Sequence, residues 1–400
     1  MKLDGNQTSI RDACDNGLLS GAVTLVWQGG KVLQVNEIGF RDVEARLPMQ
    51  RDTIFRIASM SKPVTVAAAM ALVDEGKLTL RDPVTAWLPE FSAMRVLAQP
   101  QGSLEATGPA VRPITVGDLM THRSGLAYPF SVPGPLAKAY SKLPHRQEQD
   151  RWLSELVALP LAHQPGDRLT YSVATDVLGI LISRVEGKPL HQVLDERILG
   201  PLQMTDTGFF VSPAGRRRAA TMYKLDETNT LTHDVMGPPP IAPPPFCQGG
   251  AGLWSTADDY LTFIRMLLGF GEVDGVRVLS EQAVRQMRTD QLTDEQKEQP
   301  FLGMPFWVGR GFGLNLSVVT DPSKSTQFYG PGGRGTFSWP GAFGTWWQAD
   351  PESDLVLMYL IQNLPNLNFD AAAIGGNTSQ AKLQTAQPRF VRRTYQALDI

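Results

Sequence analysis

The sequence is poor in the groups that bind metals and form cross-links. Its two cysteines and five histidines are scattered over 400 residues, and neither HExxH nor CxxC occurs. Metal-free chemistry, with no cofactor, is the expectation. Cys14 and Cys247 lie far apart; the spacing leaves a disulfide open, but unpaired thiols in a reducing cytoplasm suit so low a count better. Long hydrophobic runs are also missing. No stretch reaches the roughly 18 apolar residues that span a bilayer, and the opening MKLDGNQTSIRDACDNG lacks the apolar centre of a signal peptide. A cytoplasmic location is expected. Charge of one sign is lacking too: the net charge is −3, with acids and bases interleaved. No basic block invites nucleic acid, and no Lys/Arg-rich amphipathic run invites a membrane surface. Two motif absences matter as well. There is no P-loop lysine motif, and no serine sits in G-x-S-x-G, so the nucleophile elbow of the α/β-hydrolases finds no support.

What remains is an ordinary globular composition, 42% hydrophobic and 19% charged, on a chain too long for one small core. One large domain with an insertion, or two intimate parts, is expected. Ala22–Trp27 and Lys31–Val35 read as strands of a hairpin turned at Gly29-Gly30. Lys62–Glu75 reads as a buried apolar helix with Pro63 in its first turn and Gly76 as its stop. Further helices are expected at Val116–His122, Val173–Glu186, Leu190–Leu199, Thr256–Leu268, Glu281–Arg288 and Pro388–Leu398. The proline-rich run Gly237–Phe246 cannot be regular structure. Strands return at Phe306–Val308, Thr345–Gln348 and Leu355–Leu360. There are no internal repeats. The pattern implies a sheet domain built from residues 1–80 and 300–400, a mainly helical insertion over 81–299, and a site in the cleft between them.

Ser59-Met60-Ser61-Lys62 is an S-x-x-K tetrad, a cheap pattern that recurs at Ser379-Gln380-Ala381-Lys382. Context separates the two. The first follows the strand-like Thr53–Ile57 and opens the apolar helix, whereas the second sits in a polar stretch. A serine hydroxyl needs a base within hydrogen-bond reach. Residues three apart on a helix share a face, so Lys62 can bring its amine to Ser59 Oγ; in apolar surroundings that amine loses hydration and can serve as base. The competing reading is a helix N-cap serine followed by a solvated lysine.

Around this tetrad lie Phe55–Pro63, Leu119–Leu126 (LMTHRSGL), Tyr171-Ser172-Val173, Gly249–Leu253 (GGAGL) and Trp339–Thr345 (WPGAFGT). Through these ordered motifs, from Gly21 to the last strands, the chain resembles the serine β-lactamase and penicillin-binding-protein superfamily. It is most similar to the class C β-lactamase-like carboxylesterases (family VIII esterases). The resemblance implies an α+β fold of the β-lactamase/transpeptidase type, with an antiparallel sheet flanked by helices and a mainly α-helical inserted part. It implies a serine esterase acting through an acyl-enzyme on Ser59, with Lys62 and Tyr171 as general base and acid, and an oxyanion hole from the backbone N–H groups of Ser59 and Ala342. Trp339, Gly341, Phe343 and Tyr128 are the candidate substrate contacts, and the partner is a small-molecule ester. An acyltransferase, a weak β-lactamase or a D-aminopeptidase would use the same residues, and a non-catalytic penicillin-recognising scaffold is the alternative of another class.

The chain departs from the β-lactamases at two points. Val173 stands where they carry the asparagine of Tyr-x-Asn, and Trp339-Pro340-Gly341 replaces Lys-Thr-Gly. An indole in place of the lysine favours neutral esters over carboxylate-bearing lactams, and Pro340 cannot donate to a neighbouring strand. His122 is expected to be a buried structural hydrogen-bonder, and His145, His163, His191 and His233 receive no role. Gly330–Gly335 fits G-x-G-x-x-G but leads into the strand-like Thr336–Trp339 rather than a helix, so it reads as a loop and not a dinucleotide site.

Overall fold

A computed structural model describes residues 3–143, 147–234, 236–325, 329–364 and 378–400, with side chains of the last segment described from Lys382 onward. Its frame is an eight-stranded antiparallel sheet. In chain order the strands are β1 (Gly21–Gln28), β2 (Lys31–Asp42), β3 (Leu47–Pro48), β4 (Arg310–Phe312), β5 (Ser317–Val319), β6 (Phe337–Ser338), β7 (Trp346–Asp350) and β8 (Leu355–Ile361). They lie in the order β4-β5-β6-β7-β8-β1-β2-β3. Thus β1 is central, pairing with β8 from Ala22↔Ile361 to Gln28↔Leu355, while its other edge takes β2 through the expected hairpin. Gly29 and Gly30 turn that hairpin with φ of 56° and 84°, the left-handed pair that a type I′ turn demands.

The β1 sequence AVTLVW is apolar on both faces because both faces are covered. Val23, Leu25 and Trp27 enter one core with Met358 and Leu360, against helix α2. Ala22 and Val26 enter a second with Leu357, Tyr359 and Ile361, under the two terminal helices. This is the period-two alternation of a strand with no solvent side. The helices named here are α1 (Thr8–Asp15), α2 (Ser61–Asp74), α3 (Ala174–Glu186), α4 (Ala257–Leu268) and α5 (Thr378–Leu398). In α2 twelve of fourteen residues are buried, which is why its sequence shows no polar stripe.

Several expectations need correction. Phe306–Val308 is a turn whose two aromatics are buried, not a strand; its apolar character reflects burial, which periodicity cannot separate from extended structure in so short a run. Thr53–Ile57 narrows to Phe55–Arg56, which pairs with Trp254–Ser255 outside the main sheet. The helix after Leu190 changes at Asp195 into a wider π turn ending at Leu199. The last helix starts ten residues before Pro388, and α1 was not foreseen. Residues 81–299 also hold short hairpins, Arg95–Leu97 with Thr107–Pro109 and Tyr223–Leu225 with Leu231–His233. Gly237–Phe246 is without helix or strand, apart from Val211 N donating to Pro240 O.

Candidate active site

The chain leaves Arg56 and turns sharply into α2 through a short 3₁₀ turn, Ala58–Met60. Ala58 holds φ at 45°, a conformation most side chains avoid, directly before Ser59. The turn is pinned from several sides. Ile57 N donates to Leu253 O, Leu253 N to Ser61 Oγ at 3.0 Å, and Tyr260 Oη on α4 to Met60 O at 2.8 Å. Ser59 is left half-buried with its hydroxyl beside the Lys62 amine, and it caps no helix.

Lys62, one helical turn on, is 0% exposed. Its Nζ lies 3.2 Å from Ser59 Oγ, 3.1 Å from Tyr128 Oη and 2.8 Å from Gly250 O. These three partners fix the amine, which donates to the Gly250 carbonyl and shares hydrogen bonds with the two hydroxyls. Gly250 is held in turn by its N–H donating to Asp176 Oδ1 at 2.9 Å. A Cβ at Gly250 would meet that carboxylate at 2.9 Å, so only glycine allows the carbonyl to reach Lys62.

Tyr171 is brought in from the entry to α3, but by its face: Lys62 Nζ stands 4.8 Å from the ring centroid. Its hydroxyl instead accepts a 3.1 Å hydrogen bond from Trp339 Nε1. The phenol bonded directly to the lysine is Tyr128, which the sequence placed only as a possible substrate wall. Burial, then the nearby Asp176 and Tyr171, holds the Tyr128 phenol well above its usual range, so it is neutral. His122 is fully buried, 3.0 Å from Ser172 Oγ by Nδ1 and edge-on to Tyr171 at 4.7 Å. Burial, reinforced by the Lys62 charge, pushes its pKa well down and keeps it uncharged. His163, placed in a loop without role, is buried as well, with its ring nitrogens 2.9 Å from Gln164 O and Thr170 Oγ1. His145 lies outside the described residues, as do the side chains of Ser379, Gln380 and Ala381 in the second tetrad.

An aromatic wall surrounds Tyr171. Tyr128, Trp339 and Phe301 stand 5.3, 5.5 and 5.7 Å from it, and Phe130, 54% exposed, stacks on Tyr128 at 5.1 Å. Phe130 and Phe301 were not anticipated, since nothing in their local sequence marks them. Phe343 has no ring contact with this wall among the described residues; its carbonyl accepts from Asn363 N at 3.0 Å. The β6 strand stops at Ser338, and Trp339–Thr345 runs unpaired as a turn, in keeping with a proline that has no donor. That turn rests on Ile57: a Cβ at Gly341 would lie 2.4 Å from Ile57 O, and Thr345 Oγ1 donates to the same carbonyl at 3.3 Å. The backbone N–H groups of Ser59 and of the exposed Ala342 have no acceptor among the described residues.

In the glycine-rich loop, Gly333 N donates to the buried Asp350 carboxylate at 2.9 Å, so an internal anion already holds that backbone, and strand follows. Among the described residues no three His, Cys, Asp or Glu side chains gather as a metal requires, and no helix is long and apolar enough to cross a membrane.

Comparison with known proteins agrees with this architecture. Protein Rv1367c of Mycobacterium tuberculosis is 68% identical over 401 residues, covering 100% of both chains. Esterase EstB of Burkholderia gladioli is 32% identical over 86% of each chain. Among solved structures, EstCE1, described as a hydrolase with promiscuous acyltransferase activity, superposes with a TM-score of 0.76 at 27% identity, covering 97% of this chain and 98% of the other. The sheet, the helices and their order are those of the β-lactamase/transpeptidase type, and the relatives include esterases and acyltransferases. With a family model matched across residues 8–380, the chain belongs to the Beta-lactamase family.

Proposed function

We propose that the protein is a serine carboxylesterase that hydrolyses short- to medium-chain esters of small molecules through an acyl-enzyme on Ser59. The observation that carries this reading is the fully buried Lys62 amine, 3.2 Å from the hydroxyl of a half-buried serine. Ser59 Oγ attacks the ester carbonyl as its proton passes to the amine of Lys62. Negative charge on the carbonyl oxygen meets the N–H groups of Ser59 and Ala342, both without an acceptor among the described residues. Collapse of the tetrahedral intermediate expels the alcohol, which takes the proton that Lys62 received from Ser59, while the Tyr171 ring lies over the amine. Water then enters, is deprotonated by the same groups, and releases the acid. Tyr128, bonded to Nζ, keeps the amine directed at Ser59.

The aromatic wall and the uncharged Trp339 favour neutral, apolar esters. The similarity to Esterase EstB and to EstCE1 supports the same reading, and the description of EstCE1 as a hydrolase with promiscuous acyltransferase activity extends it to acyl transfer. Ser59→Ala is expected to lower p-nitrophenyl butyrate turnover by roughly a thousandfold or more while the circular dichroism spectrum stays unchanged. Wild-type turnover in that variant refutes the assignment. Dominant cleavage of nitrocefin or of a D-alanyl amide over short esters would move the substrate class to lactams or peptides.

A further inference from the structure

On the sheet face opposite α2, under the C-terminal helix, lies a cavity of about 500 Å³ lined by Leu225, Trp346, Tyr359, Ile361, Asn363 and Leu383 and, at one side, by Gly341 and Thr345 of the turn that carries Ala342. Trp346 and Tyr359 sit directly opposite each other on β7 and β8. Asn363 follows two residues beyond Ile361, while Gln362 between them turns the other way and accepts from Arg56 N at 2.7 Å. Strand periodicity therefore sets Tyr359, Ile361 and Asn363 on one side.

Three of these side chains are at most 3% exposed, yet among the described residues Trp346 Nε1, Tyr359 Oη and both polar atoms of Asn363 have no hydrogen-bond partner. Buried polar atoms are seldom left so, and four on residues lining one cavity call for a common partner. Their chemistry specifies it. Trp346 can only donate, Asn363 offers a donor and an acceptor side by side, and Tyr359 does either. Burial holds the Tyr359 phenol far above its usual range, so it is a neutral hydroxyl. Lys224, at the edge, is already paired with Asp234 at 3.3 Å. The cavity thus has hydrogen-bonding capacity without free charge, against apolar walls, at a volume typical of small-molecule sites.

We propose that this cavity, which borders the Ser59 site through the turn carrying Ala342 but is lined by none of Ser59, Lys62, Tyr128 and Tyr171, is a second ligand site, taking an uncharged small molecule with a flat apolar body and a carboxamide. The amide pairs with Asn363, its carbonyl accepts from Trp346 or Tyr359, and the apolar body lies against Leu225, Ile361 and Leu383.

Benzamide is the probe, titrated by calorimetry and thermal shift into the full chain and into Asn363→Leu, Tyr359→Phe and Trp339→Phe variants. Saturable binding is expected to weaken at least tenfold in Asn363→Leu and about threefold in Tyr359→Phe, and to be unchanged in Trp339→Phe, whose indole belongs to the cleft. Without ligand, Tyr359→Phe is expected to melt at the same temperature or higher, because it deletes an unpartnered hydroxyl. Should Asn363→Leu fail to fold, the Tyr359→Phe pair of readings decides alone. No saturable binding to the wild type up to roughly 10 mM, binding lost in Trp339→Phe but intact in the cavity variants, or a lower melting temperature for free Tyr359→Phe would each overturn the proposal.

Discussion

At Lys62 the three hydrogen-bond partners among the described residues are the serine hydroxyl, the Tyr128 phenol and one glycine carbonyl, and none is a carboxylate. On the proposed mechanism this amine exchanges a proton with Ser59. Replacing Tyr128 by Phe is expected to lower kcat for p-nitrophenyl butyrate by about 10- to 100-fold, because the amine loses one of its anchors. Trp339→Phe, which removes only the hydrogen bond to Tyr171, is expected to cost about five- to tenfold, corresponding to roughly 1 kcal/mol. Equal rates in wild type and both variants would refute these roles. His122 supplies a pH prediction. Its pKa is lowered in the fold, so below the ordinary value of 6.5 the unfolded chain binds a proton that the folded chain does not. Its contribution is fully present above that value and is lost as pH falls, by about 1.4 kcal/mol per pH unit. Denaturant unfolding at pH 7.5 and 5.5 is expected to show this loss in wild type and less of it in His122→Gln. At this scale the sequence placed Ser59, Lys62, Tyr171 and Trp339 in one locality, since each falls in an ordered motif. It could not choose which phenol meets the lysine, because that depends on the rotation of two rings approaching from different elements.

Among elements, the end of α2 is tied to the end of α3 by a charge cluster. Arg197, in the π turn, lies 2.7 Å from Glu186 Oε2 and also pairs with Glu75, while Lys77 Nζ lies 2.9 Å from Glu186 Oε1. Burial opposes ionisation of Glu186, but the hydrogen bonds from Arg197 and Lys77 outweigh it and lower its pKa below 4.5. A lowered acid stabilises the fold above its unfolded value and loses that contribution as pH falls through the folded one. Glu186→Gln is therefore expected to cost about 1–2 kcal/mol at pH 7, with the gap to wild type closing below pH 4.5. A gap that persists at pH 3 would show that packing, not charge, makes the difference. Helices with a long apolar run, α2 and α3, were legible in the sequence to within a residue or two. Short elements were not: the eight residues of α1 and the aromatic turn at Phe306–Trp307 owe their conformation to what they pack against.

For the whole molecule, the main sheet joins residues 21–48 to residues 310–361, so its central pairing closes a loop of more than 300 residues. The apolar strands at both ends make this legible in the sequence, whereas the cavity under the C-terminal helix leaves no trace there. Cys14 and Cys247 are both free thiols, and burial raises them to about 12 and about 11. Dithiothreitol is therefore expected to leave the melting temperature unchanged; a fall of several degrees would reveal a disulfide this structure does not contain.

Esterase action by this protein would be covalent chemistry at one hydroxyl. Its most direct test is the intact mass of the protein after diethyl p-nitrophenyl phosphate, followed by peptide mapping. One adduct, on the peptide carrying Ser59, absent in Ser59→Ala and formed with loss of esterase activity, is the predicted result. An unlabelled protein, or an adduct on another residue with turnover unaffected, would contradict it.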